Sequence, residues 1–436
     1  MPFLLILHRV LRPLSAEVTL QPAIVPVPAY QRKDMKILFA DTLPESHINL
    51  LRERGDECVI DPEITAEDLP NVLSGINVLV VRSTKVSAEA IASSDQLSLI
   101  VRSGAGTNTI DCQAAADAGI YVCNVPGTNS VAVAELTIGL LLAVDRHLAD
   151  CVQDLRNSQW NKKKYSQADG LLGKTIGLIG VGEIGLAVAE RARSFGMSVI
   201  AERNSNRKPN IEARIRSIGI RLVDSREDLL SEADVVSIHV PGGADTVNLV
   251  DENFLSHMKD NSILLNTSRG EIIDENALLK ALDSTNLRAG LDVFCNEPKS
   301  GVSEFVSELA SHPKVVGTHH IGASTAQAQN ATTSGTIKVI EAYRNGEVMN
   351  CVNMATSRIG TATITVRHFD QVGVLAEVFR VLRNAKINVQ TVKNNVFLGA
   401  NSAVAVLDVS GKVTDETCKE LRGLEHVIQI QVAEYE

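Results

Sequence analysis

Thr175-Ile176-Gly177-Leu178-Ile179-Gly180-Val181-Gly182-Glu183-Ile184-Gly185 is the segment on which the reading of the fold turns. An apolar run leads into three glycines at GxGxxG spacing. Residues 186–195 then read as a helix and 198–201 as a second strand. A lone GxGxxG is weak, but between a strand and a helix it marks a dinucleotide-binding turn. Gly180 permits the tight turn, Gly182 lets the backbone approach a pyrophosphate, and Gly185 allows close helix–strand packing. The free amides at the helix start, around Glu183 and Ile184, suit the pyrophosphate itself. A glycine-rich turn of some other α/β protein is the plain alternative, and the flanking elements argue against it.

The end of the second strand is less regular. The acid that holds the adenosine ribose is expected about 20 residues beyond the motif. Arg203 stands there, preceded by Glu202. Glu202 can accept the ribose hydroxyls. Arg203, with Arg207 and Lys208 nearby, suits a 2′-phosphate, and an Arg203 over the adenine or in solvent is a third reading. NAD and NADP both stay open on these residues.

Outward from this turn, strands and helices alternate. Residues 36–40, 78–81, 97–101 and 121–123 read as strands, and 87–93 and 111–118 as helices. A long helix is expected over 131–156 and another over 324–345, with a second βα series from Thr175 to Gly317 between them. Such alternation means parallel sheets covered by helices. Residues 351–360 look like a linker. The remainder reads as strand, helix, strand, strand, helix, strand, a small α+β unit.

A chain of 436 residues is too long for one ordinary core. Its net charge of -10 argues against general nucleic-acid binding. No apolar run approaches the roughly 18 residues of a membrane span. The seven cysteines are scattered, none at CxxC spacing. Reduced thiols in a cytoplasmic protein and no metal site are therefore expected. Residues 1–34 break from the rest in composition. They are expected to be a disordered extension upstream of a functional start at Met35, with an organelle transit peptide as the rival.

Further motifs follow in order: Ser103-Gly104-Ala105-Gly106-Thr107-Asn108, His239-Val240-Pro241, Asn266-Thr267-Ser268-Arg269-Gly270, Leu291-Asp292-Val293-Phe294-Cys295-Asn296-Glu297-Pro298 and His320-Ile321-Gly322-Ala323-Ser324-Thr325. Together with the glycine turn they resemble the D-isomer-specific 2-hydroxyacid dehydrogenases from Met35 to about Gly346. The resemblance implies Arg269, Glu297 and His320 as catalytic residues. It implies Gly180, Gly182, Glu183, Ile184, Gly185, Glu202, Arg203, His239, Val240, Pro241, Thr267 and Asp292 around the cofactor, Asp292 on the nicotinamide carboxamide, with NAD as the default and NADP as the alternative. Each residue suits its task. A histidine accepts a proton near neutral pH, a glutamate beside it stabilises the charged ring, and a guanidinium grips a carboxylate. Taken singly, a histidine before isoleucine is more often a packed loop residue and Glu-Pro a turn. His319 departs from the proline usual before the catalytic histidine.

The glycine loop Gly104-Ala105-Gly106 offers amides to a carboxylate, with Asn108 beside it. Val81-Arg82-Ser83-Thr84 resembles the branch of the family whose substrates carry a phosphate, with Arg82 and Ser83 facing the substrate. A surface ion pair is the plain reading of Arg82. The implied architecture has two doubly wound parallel-sheet domains, a substrate domain split over 35–132 and 322–355 and a Rossmann domain over 133–321. Residues 360–436 resemble an ACT domain, a βαββαβ module that binds amino acids between paired copies. By that resemblance His368, Asp370 and Asn388 would face an L-serine effector, and the protein would be a homodimer or homotetramer acting on a small phosphorylated 2-hydroxy acid. A purely structural dimerisation module, a glyoxylate or hydroxypyruvate reductase, and a redox-sensing corepressor on the same fold are the rivals.

Overall fold

The computed structural model describes residues 34–205, 207, 209–298, 302–355 and 358–435. The expected extension up to residue 33, and Lys208, lie outside them. The chain divides at Asn353/Met354 into two compact units.

In the first unit, among the described residues, five parallel strands run in the order Glu57–Ile60, Lys36–Phe39, Val78–Val81, Leu99–Arg102, Tyr121–Asn124. Val78–Val81 is buried throughout, as a strand covered on both faces must be. One face packs on Leu69, Leu73, Ile91 and Ala115 from the local helices. The other packs on Ile337, Ile340 and Tyr343, from the helix Ala326–Arg344, so the chain leaves this sheet and returns to it late.

Seven further parallel strands follow the order Val315–Gly317, Arg288–Leu291, Ile263–Asn266, Val235–Ile238, Thr175–Ile179, Ser198–Glu202, Arg221–Val223. Strand order reverses between Thr175–Ile179 and Val235–Ile238. Ligands of open parallel sheets bind outside the carboxyl ends of the strands at such a switch, where Gly180 and His239 lie.

Two expectations differ from the structure. The long helix breaks at His147, whose φ of 51° is left-handed and caps Ser130–Arg146. The first piece buries Leu140, Leu141 and Val144 against the second sheet. The second, Leu148–Arg156, buries nothing. The start of the expected linker is also tied down. Asn353 Oδ1 accepts from Val122 N (2.9 Å), and Asn353 Nδ2 donates to Ile120 O (2.8 Å).

In the second unit the antiparallel order is Asn388–Val396, Ser402–Ser410, Ala362–Phe369, Val427–Glu434. Ala362, Ile364 and Val366 alternate inward and pack on Val378, Val381 and Leu421 of the helices Val374–Asn384 and Asp415–Arg422. The connectivity is βαββαβ. Among the described residues, no helix is long and apolar enough to cross a membrane.

Candidate active site

The glycine turn has the space a dinucleotide needs. Gly180 has φ 99°, and a Cβ there would lie 2.5 Å from His239 O. A Cβ on Gly185 would lie 2.3 Å from Gly180 O, whereas one on Gly182 would meet nothing within 4 Å. The open side at Gly182 heads the helix Glu183–Ser194, so amides face free space where a pyrophosphate fits. Val240 closes the turn, with Cγ1 3.0 Å from the same Gly180 position, and Pro241 follows it. His239 Nε2 lies 2.8 Å from Ser237 Oγ. Burial pushes this imidazole down to about 3, so it is neutral. Glu183 pairs with Arg214 at 2.7 Å. At the next strand end, Glu202 faces Arg226 at 3.6 Å and Arg203 bonds Asp224 at 3.2 Å, so neither stands alone there.

The second sheet carries the histidine and glutamate expected to handle the proton. His320 has left-handed φ 52°, and its Nδ1 lies 2.7 Å from Glu297 Oε2. Glu297 Oε1 accepts from Phe294 N at 2.9 Å, which fixes the carboxylate. The hydrogen bond to Glu297 holds the His320 pKa above its ordinary value, against the opposing effect of burial. Burial pulls Glu297 upward, but hydrogen bonds from His320 and Phe294 N, with the charges of His320 and Arg269, leave it lowered. The two shifts agree in direction, as a coupled pair should. With Nδ1–H donated to Glu297, Nε2 is the nitrogen that can accept a proton.

Two residues expected around the cofactor make internal bonds. Asp292 is 1% exposed, and its carboxylate accepts from Thr318 Oγ1 (2.6 Å), Ile321 N (2.9 Å) and Gly322 N (2.8 Å). These bonds pin the loop that presents His320. Thr267 Oγ1 lies 3.0 Å from Thr137 Oγ1, an internal contact to the helix Ser130–Arg146.

The first sheet adds a cationic wall. Arg102 ends its strand, and a Cβ on Gly104 would lie 1.4 Å from Arg102 Nη1. Only glycine lets the guanidinium lie across the loop. On the far side Arg269 Nη2 is 2.9 Å from where a Gly106 Cβ would stand, and Asn108 Oδ1 is 3.3 Å from that point. Asn124 Nδ2 donates to Ala105 O (2.6 Å), steadying the loop. Arg102 Nε is buried without a hydrogen-bond partner. Burial, then the charges of Arg269 and Arg82, push Arg102 down to about 10, against Asp41. Asp41 itself is occupied. It accepts from Arg82 N (2.6 Å), Ser83 Oγ (2.5 Å) and Thr84 N (3.3 Å), so the Ser83 hydroxyl holds the turn. Arg82, Arg102, Glu297 and His320 line one cavity of about 1130 Å³.

Arg102 and Asp41 escaped the sequence reading. The available signal was an arginine ending an apolar strand directly before a glycine loop. The effector trio is not brought together within one chain. His368 is buried, with Nε2 3.3 Å from Asn394 Oδ1. His368 pairs opposite Ala403 and Asn388 opposite Ser410, which places them at opposite ends of the sheet. Asp370 is exposed just beyond the His368 end.

The model of the D-isomer specific 2-hydroxyacid dehydrogenase NAD binding domain matches residues 138–322. The D-3-phosphoglycerate dehydrogenase of Methanocaldococcus jannaschii is 38% identical over 324 residues, 73% of this chain and 60% of that protein. The chain thus spans about 60% of that relative's length. The hydroxypyruvate reductase of Thermotoga maritima is 40% identical over 291 residues, 66% of this chain and 92% of that protein. The structure of an NAD-dependent formate dehydrogenase from Staphylococcus aureus in complex with NAD superposes with a TM-score of 0.62 at 28% identity, covering 74% of this chain and 100% of that one. The chain belongs to the D-isomer-specific 2-hydroxyacid dehydrogenase family and carries its NAD-binding domain.

Proposed function

We propose that the protein is a D-3-phosphoglycerate dehydrogenase, oxidising 3-phosphoglycerate to 3-phosphohydroxypyruvate with NAD, in serine biosynthesis. The observation that carries this reading is the grouping of Arg82 and Arg269 around Arg102, with Arg82 and Arg102 lining the cleft and Asp41 already occupied. Three guanidinium groups suit a substrate with two anionic ends. The Gly104–Gly106 amides and Arg269 take the carboxylate end and polarise the C2 oxygen. Arg82 and Arg102 take the phosphate. His320 Nε2 accepts the hydroxyl proton, and Glu297 stabilises the imidazolium that results. Bound NAD supplies the hydride acceptor. Steady-state kcat/KM for 3-phosphoglycerate against D-glycerate, with NAD and NADP, tests the reading. A strong preference for the phosphorylated acid supports it, and equal use of both refutes it. Hydroxypyruvate reduction is the second reading, supported by the 92% coverage of the T. maritima enzyme.

The βαββαβ unit fits an ACT module acting as a pair. Its edge strand Asn388–Val396 is exposed along most of its length. Antiparallel pairing of this strand with a second copy, centred on Val392, sets Asn388 opposite the partner's Val396. Val396 and His368 both flank Ala403. An L-serine site built from both copies of a cytoplasmic homodimer or homotetramer follows, and it restores the trio that one chain keeps apart.

A further inference from the structure

Cys123 and Cys351 lie directly opposite each other in an isolated antiparallel bridge. The hydrogen bonds flank the pair instead of joining it: Asn124 N–H donates to Asn350 O (3.2 Å) and Val352 N–H to Val122 O (2.8 Å). In such a non-hydrogen-bonded pair the Cα atoms approach to about 4.5 Å and the side chains leave the same face. A disulfide spans Cα separations of about 4.4–6.8 Å, so a bond between these residues needs no backbone rearrangement. The thiols already interact. Contact with Cys351, then burial, raises the Cys123 pKa far above the ordinary thiol value. Cys123 is 1% exposed in the core, whereas Cys351 is partly exposed and donates to Asn353 Oδ1 at 3.2 Å. One thiol can meet an oxidant and the other can resolve it.

We propose that Cys123 and Cys351 form a reversible disulfide when the protein meets hydrogen peroxide, a modification site separate from the dehydrogenase chemistry. The Cys351 thiolate attacks one peroxide oxygen. The O–O bond breaks, the departing hydroxide takes up a proton as water, and a sulfenic acid remains. Cys123 sulfur then attacks Cys351 Sγ as its own proton leaves. The S–S bond forms, the S–O bond breaks, and a second water departs. Two thiols lose two electrons and one peroxide becomes two waters. A dithiol reductant reverses the step by exchange. The bond encloses more than half of the chain, so it restricts the unfolded state strongly. It also pins the segment 350–353 just before the second unit begins.

Peroxide treatment of the full-length native protein, followed by blocking of remaining thiols, denaturation and peptide mapping, tests the proposal. The expected result is a peptide linking Cys123 to Cys351, two fewer titratable thiols than the seven of the reduced chain, and a Tm raised by a few degrees that dithiothreitol returns to its starting value. Cys351→Ser should lose the linked peptide and the Tm gain while its reduced form keeps wild-type turnover. A link from Cys351 to Cys112, its other sulfur neighbour, or sulfinic acid at Cys351 without any link, would overturn the proposal. So would a Cys123–Cys351 link formed only after unfolding.

Discussion

His320 sits on a left-handed backbone (φ 52°) with its ring bonded to Glu297 at 2.7 Å, and the second fact bears on pH. In the proposed reaction oxidation needs the neutral imidazole, and the Glu297 contact raises the His320 pKa, so the acid limb of kcat/KM should lie above the ordinary histidine value of 6.5. Glu297→Gln should lower turnover and move that limb to lower pH. An unmoved limb would separate the two residues functionally. His320→Ala should cost about 100- to 10,000-fold in kcat while NADH binding, read by fluorescence, survives. The same pair links to folding. A raised histidine contributes stability that is lost as pH rises through its folded pKa, and a lowered glutamate contributes stability that is lost as pH falls through its own. Their joint contribution is fullest between the ordinary values of 4.5 and 6.5. Arg102→Ala should reduce kcat/KM for 3-phosphoglycerate roughly tenfold or more, the size of a lost charged hydrogen bond, and leave D-glycerate turnover little changed. A residue of merely structural importance would lower both. His320 was legible because histidine before Ile-Gly repeats a known pattern. Arg102 was not, because a lone arginine at a strand end shows nothing of the two arginines that folding brings beside it.

The loop 318–322 and the strand end at Asp292 form one construction. Three loop donors converge on a carboxylate that is 1% exposed. Asp292→Ala leaves those donors without their acceptor; the loss at buried Gly322 N costs about 1–3 kcal/mol, and those at part-buried Thr318 and Ile321 less. Urea unfolding should therefore show a stability decrease of roughly 3 kcal/mol. Turnover should fall with it, because His320 loses its seat. Unchanged stability would mean that solvent replaces the carboxylate. Most strands and helices were readable from alternation of apolar residues, since burial imposes period on composition. The break at His147 was not, because apolar spacing continues across it. A left-handed turn there depends on how the first helix meets the second sheet.

Across the whole molecule, the catalytic motifs all lie before the division at Asn353. If the proposed L-serine site operates, deleting 354–436 should leave a folded dehydrogenase whose turnover is the same with and without the amino acid, whereas serine should lower turnover of the full chain. Wild-type enzyme that ignores serine would leave the tail as an assembly module or as a receptor for another ligand. The order of strands and helices, the dinucleotide turn and the His–Glu–Arg set follow from the sequence alone. Local steric rules decide the first two, glycine where a Cβ would strike His239 O and apolar runs where a sheet is covered on both faces, and the resemblance to the family supplies the third. Only the tertiary structure decided which charges meet. It brought Arg102 beside Arg82 and Arg269, turned Asp292 inward onto its own loop, parted His368 from Asn388, and set Cys123 against Cys351. Each of these depends on residues from separate strands or loops, often far apart in the chain, and the register that joins them comes from packing of the whole sheet rather than from any one segment.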